Sequence, residues 1–521
     1  MPAWLDNAVF YEIYPQSFQD SNADGIGDFQ GIIKRLDYIK ELGCNAIWMN
    51  PCFDSPFTDA GYDVADYYKA APRYGTNDDL KELFEEVHRR GMHILLDLVP
   101  GHTSTEHRWF KESMKAEENE FTHRYIWTDN VWKGFEGVSN IAGCIRGISD
   151  RNGSCAVNFF STQPALNYGF AQPTESWQFG PDSEVATQSR LAMQDIMAFW
   201  LRMGCDGFRV DMAGSMVKGD TNGEETIRFW QKVRTFLDEE FPDAAMVSEW
   251  GEPDKSLQGG YHMDFLLHFG PSHYLDLFRV DEPYFSRRGK GDISAFVHKY
   301  MENYEATDGK GLICIPSGNH DMMRMRHWLD EEEMKIAFAF LLTMPGAPFI
   351  YYGDEIGMRY LDGLRSVEGG YERTGSRSPM QWDAGVNAGF STAAKDMLYI
   401  EMDSTKDYPT VMDQQGKEDS LLNEVKRLIQ IRMEQKALQS KGKVEFLYAK
   451  ENSYPFVYRR VWEEEEILVI INPSDRKEDC DLPITQSGRI LYSYHGEASL
   501  QGTHLTVPAC SFSLMKMDME E

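Results

Sequence analysis

The sequence predicts an α/β protein: a (β/α)8 TIM barrel with a small domain inserted after its third strand and an antiparallel β-sandwich at its C-terminus. Three observations carry that expectation. Helix-period apolar patterns alternate with short, fully apolar, strand-like runs over most of the 521 residues, the mark of a parallel sheet covered by helices. Residues 105–172 break the alternation with polar, aromatic, turn-rich sequence, and from about Lys441 short alternating strands and turns take over. The chain is also too long for one ordinary core. No G-x-G-x-x-G follows an early strand, which removes the dinucleotide signature and favours a barrel over an open doubly wound sheet. The expected division is a barrel from 1–104 and 173–440, an inserted domain over 105–172 and a C-terminal domain over 441–521.

The elements follow in order. "IIKRLDYIKELG" places Ile32, Leu36, Ile39 and Leu42 at helical spacing and stops at Gly43. "NAIWMNP" reads as the next strand. "NDDLKELFEEVHRRG" repeats the plan, with Asn77 as cap, Leu80, Leu83, Phe84 and Val87 on one face, and Gly91 at the end. "HILLDLV" is the strand before the insertion. After it, "AMQDIMAFWLRMG" puts Met193, Ile196, Met197, Trp200 and Leu201 on one stripe, and "GCDGFRVDMAGS" is the strand beyond. "AAMVSEW", "GLICIPSGNHD" and "APFIYYGDE" are later strands. In the C-terminal region "VEFLYA", "PFVYRRV", "EILVIINPSD", "RILYSY" and "SFSLMKM" read as antiparallel strands, with "WEEEEIL" crossing a solvated hairpin turn.

Charge and cysteine usage bound the function. A net charge of −31 disfavours nucleic-acid backbones and anionic membranes. The eight cysteines are scattered without a C-x-x-C pair, so zinc and redox chemistry lack support and reduced thiols are expected, with a loop-closing Cys144–Cys155 bridge as the alternative. The N-terminus lacks the basic and apolar regions of a signal peptide, and no apolar run is long enough to cross a bilayer. The expected location is the cytoplasm.

Polar residues cluster where strands end. In "GFRVDM" alternate side chains share a face, so Arg209 and Asp211 point opposite to Phe208 and Val210. Alone, such a pair reads as a structural ion pair. Asp97 and His102 follow the third strand, Glu249 ends "AMVSE", and His320 with Asp321 ends "ICIPSGNHD". Barrel enzymes build their sites from just these strand ends. A glycosyl transition state needs anionic oxygens beneath an oxocarbenium-like carbon and a proton for the departing oxygen, which acids at several strand ends can supply.

"DLVPGH", "GFRVDMAGS", "VSEW" and "GNHD", in this order, resemble the motifs of the α-amylase family of glycoside hydrolases (family 13). "GYDVADY" and "SRSPMQWD" resemble its oligo-1,6-glucosidase, α-glucosidase and trehalose synthase branch. The resemblance covers the whole chain and implies the barrel, the insertion and the β-domain together. It implies Asp211 as nucleophile, Glu249 as general acid/base and Asp321 as the third carboxylate. Arg209 would hold Asp211 ionised, and His102 and His320 would bind sugar hydroxyls. Tyr62 would stack on the sugar, while Asp63 and Arg377 would pair into a clamp on a terminal glucose. Such a clamp closes the pocket and favours exo-action on small α-glucosides or oligosaccharides.

The stretch "DSNADGIGD" sets Asp20, Asn22, Asp24 and Asp28, with the Ile26 carbonyl, around Gly25. It resembles the start of an EF-hand loop, but Gly31 stands where the bidentate Glu would be. The branch carries a structural calcium, or magnesium, here; an Asx-rich turn without metal is the other reading. Two departures from the family stand out: Gly101 precedes His102 where the family usually has Asn, and Met212 follows Asp211 where the 1,4- and 1,6-preferring members differ. Water or a sugar hydroxyl could intercept a glycosyl-enzyme, so a transglycosylase or isomerase such as trehalose synthase is the second expectation. An endo-acting amylase comes third, and a non-catalytic barrel binding module, set against the retained carboxylates, last.

Overall fold

The computed structural model describes residues 1–289 and 291–518; the last three residues of the expected C-terminal domain, 519–521, lie outside the described residues. Eight parallel strands form the barrel: β1 Phe10–Ile13, β2 Ala46–Met49, β3 His93–Leu98, β4 Gly207–Val210, β5 Ala245–Ser248, β6 Met263–Phe265, β7 Leu312–Cys314 and β8 Phe349–Tyr351. They run β7-β6-β5-β4-β3-β2-β1-β8, and a parallel bridge from Pro316 to Phe349 brings the two edges together.

Register decides what fills the barrel. Phe10 pairs with Ala46 and Phe349, and those positions with Trp48, Leu95, Val247, Met263, Phe265, Leu312 and Cys314 pack as one interior cluster. Phe208 and Val210 belong instead to the larger cluster shared with the surrounding helices. Asp97 is in register with Arg209, and Arg209 with Val247, so both charges share the inward face one layer above the apolar filling.

The helices begin and end on local signals. Asp28 caps α1 (Phe29–Leu42), accepting the Gly31 amide, and Gly43 closes it at φ +105°. Helix α2 (Asn77–Arg89) is capped one residue earlier than the sequence suggested: Thr76 and Asp79 form a capping box. Asn77 instead ties the preceding strand through the Ala70 amide and the Tyr68 carbonyl. Ser183 caps α3 (Glu184–Met203), which buries Met193, Ile196, Met197 and Trp200. Helices α4 (Glu224–Glu240), α5 (Ser294–Thr307), α6 (Glu331–Thr343) and α7 (Leu421–Glu434) add to the outer layer.

Between β3 and α3 the chain holds a short helix, Arg108–Ser113, and a hairpin of Gly143–Ile145 with Cys155–Val157. A separate apolar cluster of Ile126, Phe135, Ala156, Ala165 and Phe170 supports it. Cys144 and Cys155 sit on opposite strands of that hairpin but out of register, and all eight cysteines are free.

The C-terminal region has a five-stranded antiparallel sheet and a three-stranded one, packed through Val457, Leu468, Ile470, Leu505, Val507 and Met515. Trp462 pairs with Glu465 across the acidic hairpin turn. Two buried arginines meet at the seam with the barrel: Arg432, on α7, ties barrel segments to one another, and Arg460, on the strand Phe456–Trp462, reaches across. Arg432 donates to the Leu342, Met344 and Gly346 carbonyls; Arg460 donates to those of Thr343, Gln439 and Gly442. Leu342 and Thr343 end α6, so the guanidinium groups satisfy carbonyls that the helix leaves unpaired. Among the described residues no helix is long and apolar enough to cross a membrane.

Candidate active site

Gly207 opens β4 at φ +139°, and a Cβ there would stand 1.9 Å from the Ala245 carbonyl. That close approach seats β4 against β5 and aligns their ends. Beyond them the backbone is stitched: Asp211 N donates to Leu98 O at 2.9 Å, Glu249 N to Val210 O at 2.9 Å and Ala213 N to Glu249 O at 3.1 Å. Met212 adopts left-handed φ/ψ of 44°/42° and aims its amide at Glu249 Oε2, 3.1 Å away. A non-glycine residue held there costs free energy, so the turn is over-determined by its neighbours.

Arg209 answers for three carboxylates. Its guanidinium lies 2.8 Å from Asp97, 3.1 Å from Asp211 and 2.9 Å from Glu249, and 5.0 Å above the Trp48 ring. Burial pushes the Asp97 carboxyl up to about 6, with Arg209 opposing it. Burial, then the Glu249 charge, push Asp211 well above the carboxylate range, again against Arg209. The sequence expectation that Arg209 serves to keep Asp211 ionised is therefore too simple. One guanidinium shared among several acids does not offset the burial of Asp97 and Asp211.

Asp321 stands opposite. Arg377 Nη2 lies 2.9 Å and Arg373 Nη1 2.8 Å from its Oδ1, and His320 Nε2 3.3 Å from Oδ2. Burial would raise this carboxyl, but the charges of Arg377 and Arg373 outweigh it and hold it far below the usual range. His320 is fully buried: Nδ1 faces Glu12 Oε1 at 3.0 Å and Nε2 faces the Tyr62 hydroxyl at 2.7 Å. Burial keeps its imidazole neutral. Tyr62 stacks on that ring at 5.4 Å and also donates to Asp97.

These groups surround a cavity of about 1040 Å³ lined by Asp59, Tyr62, His102, Asp211, Glu249, Asp321 and Arg373 on its polar side. Met212, Phe159, Phe160, Trp250, Phe269 and Tyr371 supply apolar wall. Arg209, His320 and Arg377 lie behind this lining. His102 is 1% exposed and both ring nitrogens are engaged, Nε2 with the Tyr62 carbonyl and Nδ1 with Asn158.

One expected contact does not form. Asp63 and Arg377 are not paired. Asp63 is fully buried and turns back into its own loop, accepting from Ser55 Oγ, the Thr58 amide and hydroxyl, and the Asp59 amide. Arg377 is spent on the His320 carbonyl and Asp321. The acid that reaches the cavity is Asp59, four residues earlier, and it meets Arg373, four residues before Arg377, at 3.3 Å. Gln163 from the inserted region also donates to Asp59 at 2.8 Å. Burial pushes the Asp59 carboxyl up to about 6, with Arg373 resisting. Asp59, Arg373, Gln163 and Asn158 went unnoticed in the sequence, although Asp59 shares the Tyr62 loop and Arg373 shares the Arg377 stretch.

In the Asp20–Asp28 loop each carboxylate accepts amides of its own turn: Asp20 those of Asn22, Ala23 and Gly25, Asp24 that of Ile26, Asp28 those of Ser21 and Gly31. Among the described residues no three His, Cys, Asp or Glu groups are gathered as a metal site. Asp20, Asn22, Asp24, Asp28 and the Ile26 carbonyl are nevertheless an all-oxygen set, the donor chemistry hard cations take. Gly25 is pressed against the Met397 carbonyl, which ties this loop to residues 397–399.

Comparison with known proteins agrees with this architecture. The family described as alpha-amylase, catalytic domain, matches residues 12–441. The trehalose synthase/amylase TreS of Mycobacterium tuberculosis is 32% identical over 492 residues, covering 83% of this chain and 75% of its own length. The oligo-1,6-glucosidase of Heyndrickxia coagulans is 29% identical, covering 93% of this chain and 94% of its own. The trehalulose synthase MutB of Pseudomonas mesoacidophila superimposes with a TM-score of 0.81 at 26% identity, over 99% of this chain and 100% of that one.

Proposed function

The chain belongs to the α-amylase family of glycoside hydrolases, and from that premise we propose that it is a retaining α-glucosidase removing terminal α-linked glucose from short oligosaccharides. The observation that carries the reading is the arrangement of Asp211 and Glu249 on one guanidinium, facing Asp321 across the cavity. Retaining chemistry uses one carboxylate as nucleophile and one carboxylic acid as proton donor. Asp211 and Glu249, both held on Arg209 and both facing the cavity, supply that pair. Glu249 gives its proton to the leaving oxygen as Asp211 attacks the anomeric carbon, and the glycosyl ester forms as the glycosidic bond breaks. The Glu249 carboxylate then takes a proton from water, whose oxygen attacks the same carbon and frees Asp211. Asp321, held anionic by Arg377 and Arg373, stabilises the positive charge on the ring at each transition state.

Asp59 and Arg373 take over the clamp that the family resemblance implied for Asp63 and Arg377. A buried carboxylate beside a guanidinium offers an acceptor and donors to adjacent hydroxyls of a terminal sugar, with Tyr62 stacking beneath. Arg209, His102 and His320 act in this reading by orienting the groups that touch sugar. The loop with Asp20, Asn22, Asp24, Ile26 and Asp28 is proposed to hold a structural calcium or magnesium ion.

The relatives favour one second reading. TreS and MutB are named as synthases, and the same glycosyl-enzyme passed to a sugar hydroxyl yields an isomer or a longer sugar. Proton NMR of the enzyme with maltose, isomaltose, trehalose and sucrose separates the two, beside an Asp211→Asn control. Release of α-glucose that then mutarotates, absent in the control, supports the hydrolase. Trehalose from maltose, or new oligosaccharides without free glucose, establishes the transferase. Equal inertness of both proteins on all four sugars and on starch sinks the catalytic reading.

A further inference from the structure

Gly101 stands where the resembled family usually carries Asn, and the structure shows what occupies the vacated room. A Cβ at Gly101 would lie 2.6 Å from Asn158 Nδ2 and 3.3 Å from Met216 Cε. Asn158 reaches in from the inserted region and is 4% exposed. Its Nδ2 lies 3.1 Å from His102 Nδ1, and its Oδ1 accepts from Lys218 Nζ at 2.9 Å. Lys218 is itself buried, and its amine also donates to the Ser215 carbonyl at 2.7 Å.

The donor chemistry fixes the orientation of every member. A lysine amine on two oxygens acts as donor, so the Asn158 oxygen faces it and the amide N–H turns to His102. His102 Nδ1 is then the acceptor, the ring proton sits on Nε2, and Nε2–H donates to the Tyr62 carbonyl at 3.1 Å. Asn158 also begins a tight turn. Its amide donates to the Gln163 carbonyl at 3.0 Å, Gln163 holds Asp59, and Phe159 and Phe160 at the tip line the cavity. The polypeptide between Asn158 and Gln163 thus reaches two parts of the sugar pocket at once.

We propose that Asn158 is a positioning residue that locks the His102 tautomer and, through it, the Tyr62 wall of the pocket, and that Gly101 is the residue that admits it. The site on which it acts is the sugar pocket of the glucosidase reading, but the lock is a property of the chain alone and can be read without substrate. Lys218 on the Asn158 side and the Tyr62 carbonyl on the other are the polar groups facing the ring, and burial holds His102 down at about 3. Neither opposes that neutrality with an anion.

Nitrogen NMR of histidine-labelled full-length protein, with His102→Gln to identify the signal, is the decisive measurement. The wild type is expected to show a neutral Nε2–H ring that does not titrate between pH 5 and 8. Asn158→Asp puts an acceptor-only group against Nδ1, so the ring gains Nδ1–H and titrates within that range. Asn158→Ala removes the donor to Nδ1, so the Nδ1 signal is expected to shift while Nε2–H stays on the Tyr62 carbonyl, and KM for the preferred disaccharide to rise about tenfold, with kcat changed less than about threefold. Gly101→Asn, which evicts the amide, should match Asn158→Ala. An unchanged His102 signature in Asn158→Asp and Asn158→Ala overturns the proposal. So does a loss of thermal stability and kcat together with an unmoved His102 signature, which would mark a purely structural residue. If the wild type turns over no α-glucoside, the glucosidase reading fails while the NMR result still decides this one.

Discussion

Replacing Asp59 and Asp63 separately by Asn tests the correction the structure makes to the sugar clamp. Asp59 lies in the cavity wall, with Arg373 at 3.3 Å and Gln163 at 2.8 Å. Asp59→Asn removes the anion that orients Arg373 and weakens any hydrogen bond to a sugar hydroxyl. Hydrogen bonds to charged groups are worth about 1.5–3 kcal/mol, so kcat/KM should fall roughly 10- to 150-fold at about 1.4 kcal/mol per decade. Thermal stability should change little, because burial already disfavours the charge. Asp63 is fully buried and accepts from four groups of its own turn. Asp63→Asn keeps one acceptor oxygen and turns an NH2 toward donors, at a cost of about 1–3 kcal/mol in folding. Its Tm should drop by a few degrees while kcat/KM per folded molecule stays within about fivefold. Steady-state kinetics at 25 °C and a thermal melt on each variant suffice. If Asp63→Asn loses catalysis and Asp59→Asn keeps it, the Asp59–Arg373 assignment is wrong. The same carboxyl sets a pH limit. Because Asp59 titrates at about 6, acidification through that value protonates it, and wild-type kcat/KM should decline below it more steeply than that of Asp59→Asn.

Arg209→Met leaves Asp97, Asp211 and Glu249 without their common cation. Breaking a buried ionic group this way costs about 3–5 kcal/mol, and activity should fall by about two orders of magnitude or more. The sign of the pH effect follows from protons bound: the variant's native state keeps more than the unfolded chain near neutrality, so its stability should rise as pH falls from 8 to 6. A Tm that is flat or rises with pH over that interval would contradict the shared-cation account. For the Asp20–Asp28 loop, a chelator such as EDTA should lower Tm by several degrees and millimolar calcium should restore it; a Tm indifferent to both marks a plain Asx-rich turn.

Periodicity made the barrel legible, because each strand is a buried apolar run and each long helix carries its own stop and start signals. The strand-end acids were legible for a related reason: a charge at the end of a buried strand has few explanations. The clamp was not. Asp59 and Asp63 lie four apart on one irregular loop, as do Arg373 and Arg377, and spacing on a loop does not say which side chain turns inward. Gly61 at φ +94° and the hydrogen bonds around Asp63 decide that, and neither has a sequence signature. Thr76 displaced Asn77 as helix cap for the same reason, since both are capping residues and only the chain's approach angle chooses between them. The Asn158–Gly101 complement joins positions 57 apart through space, beyond the reach of any local pattern.

The two arginines at the seam, Arg432 within the barrel and Arg460 reaching across from the C-terminal sheet, give the molecule opposite weaknesses at the two ends of the pH scale. Arg432 and Arg460 grip carbonyls alone, so acid has no partner there to neutralise. Burial lowers Arg432 to about 9, helped by repulsion from Arg460, and Arg460 to about 10. Alkali, not acid, discharges them. In the cavity the order is reversed, since Asp59 and Asp97 take up protons near 6. Mild acid therefore reaches the cavity carboxyls without touching either guanidinium, whereas strong base discharges the Arg460 contact across the seam.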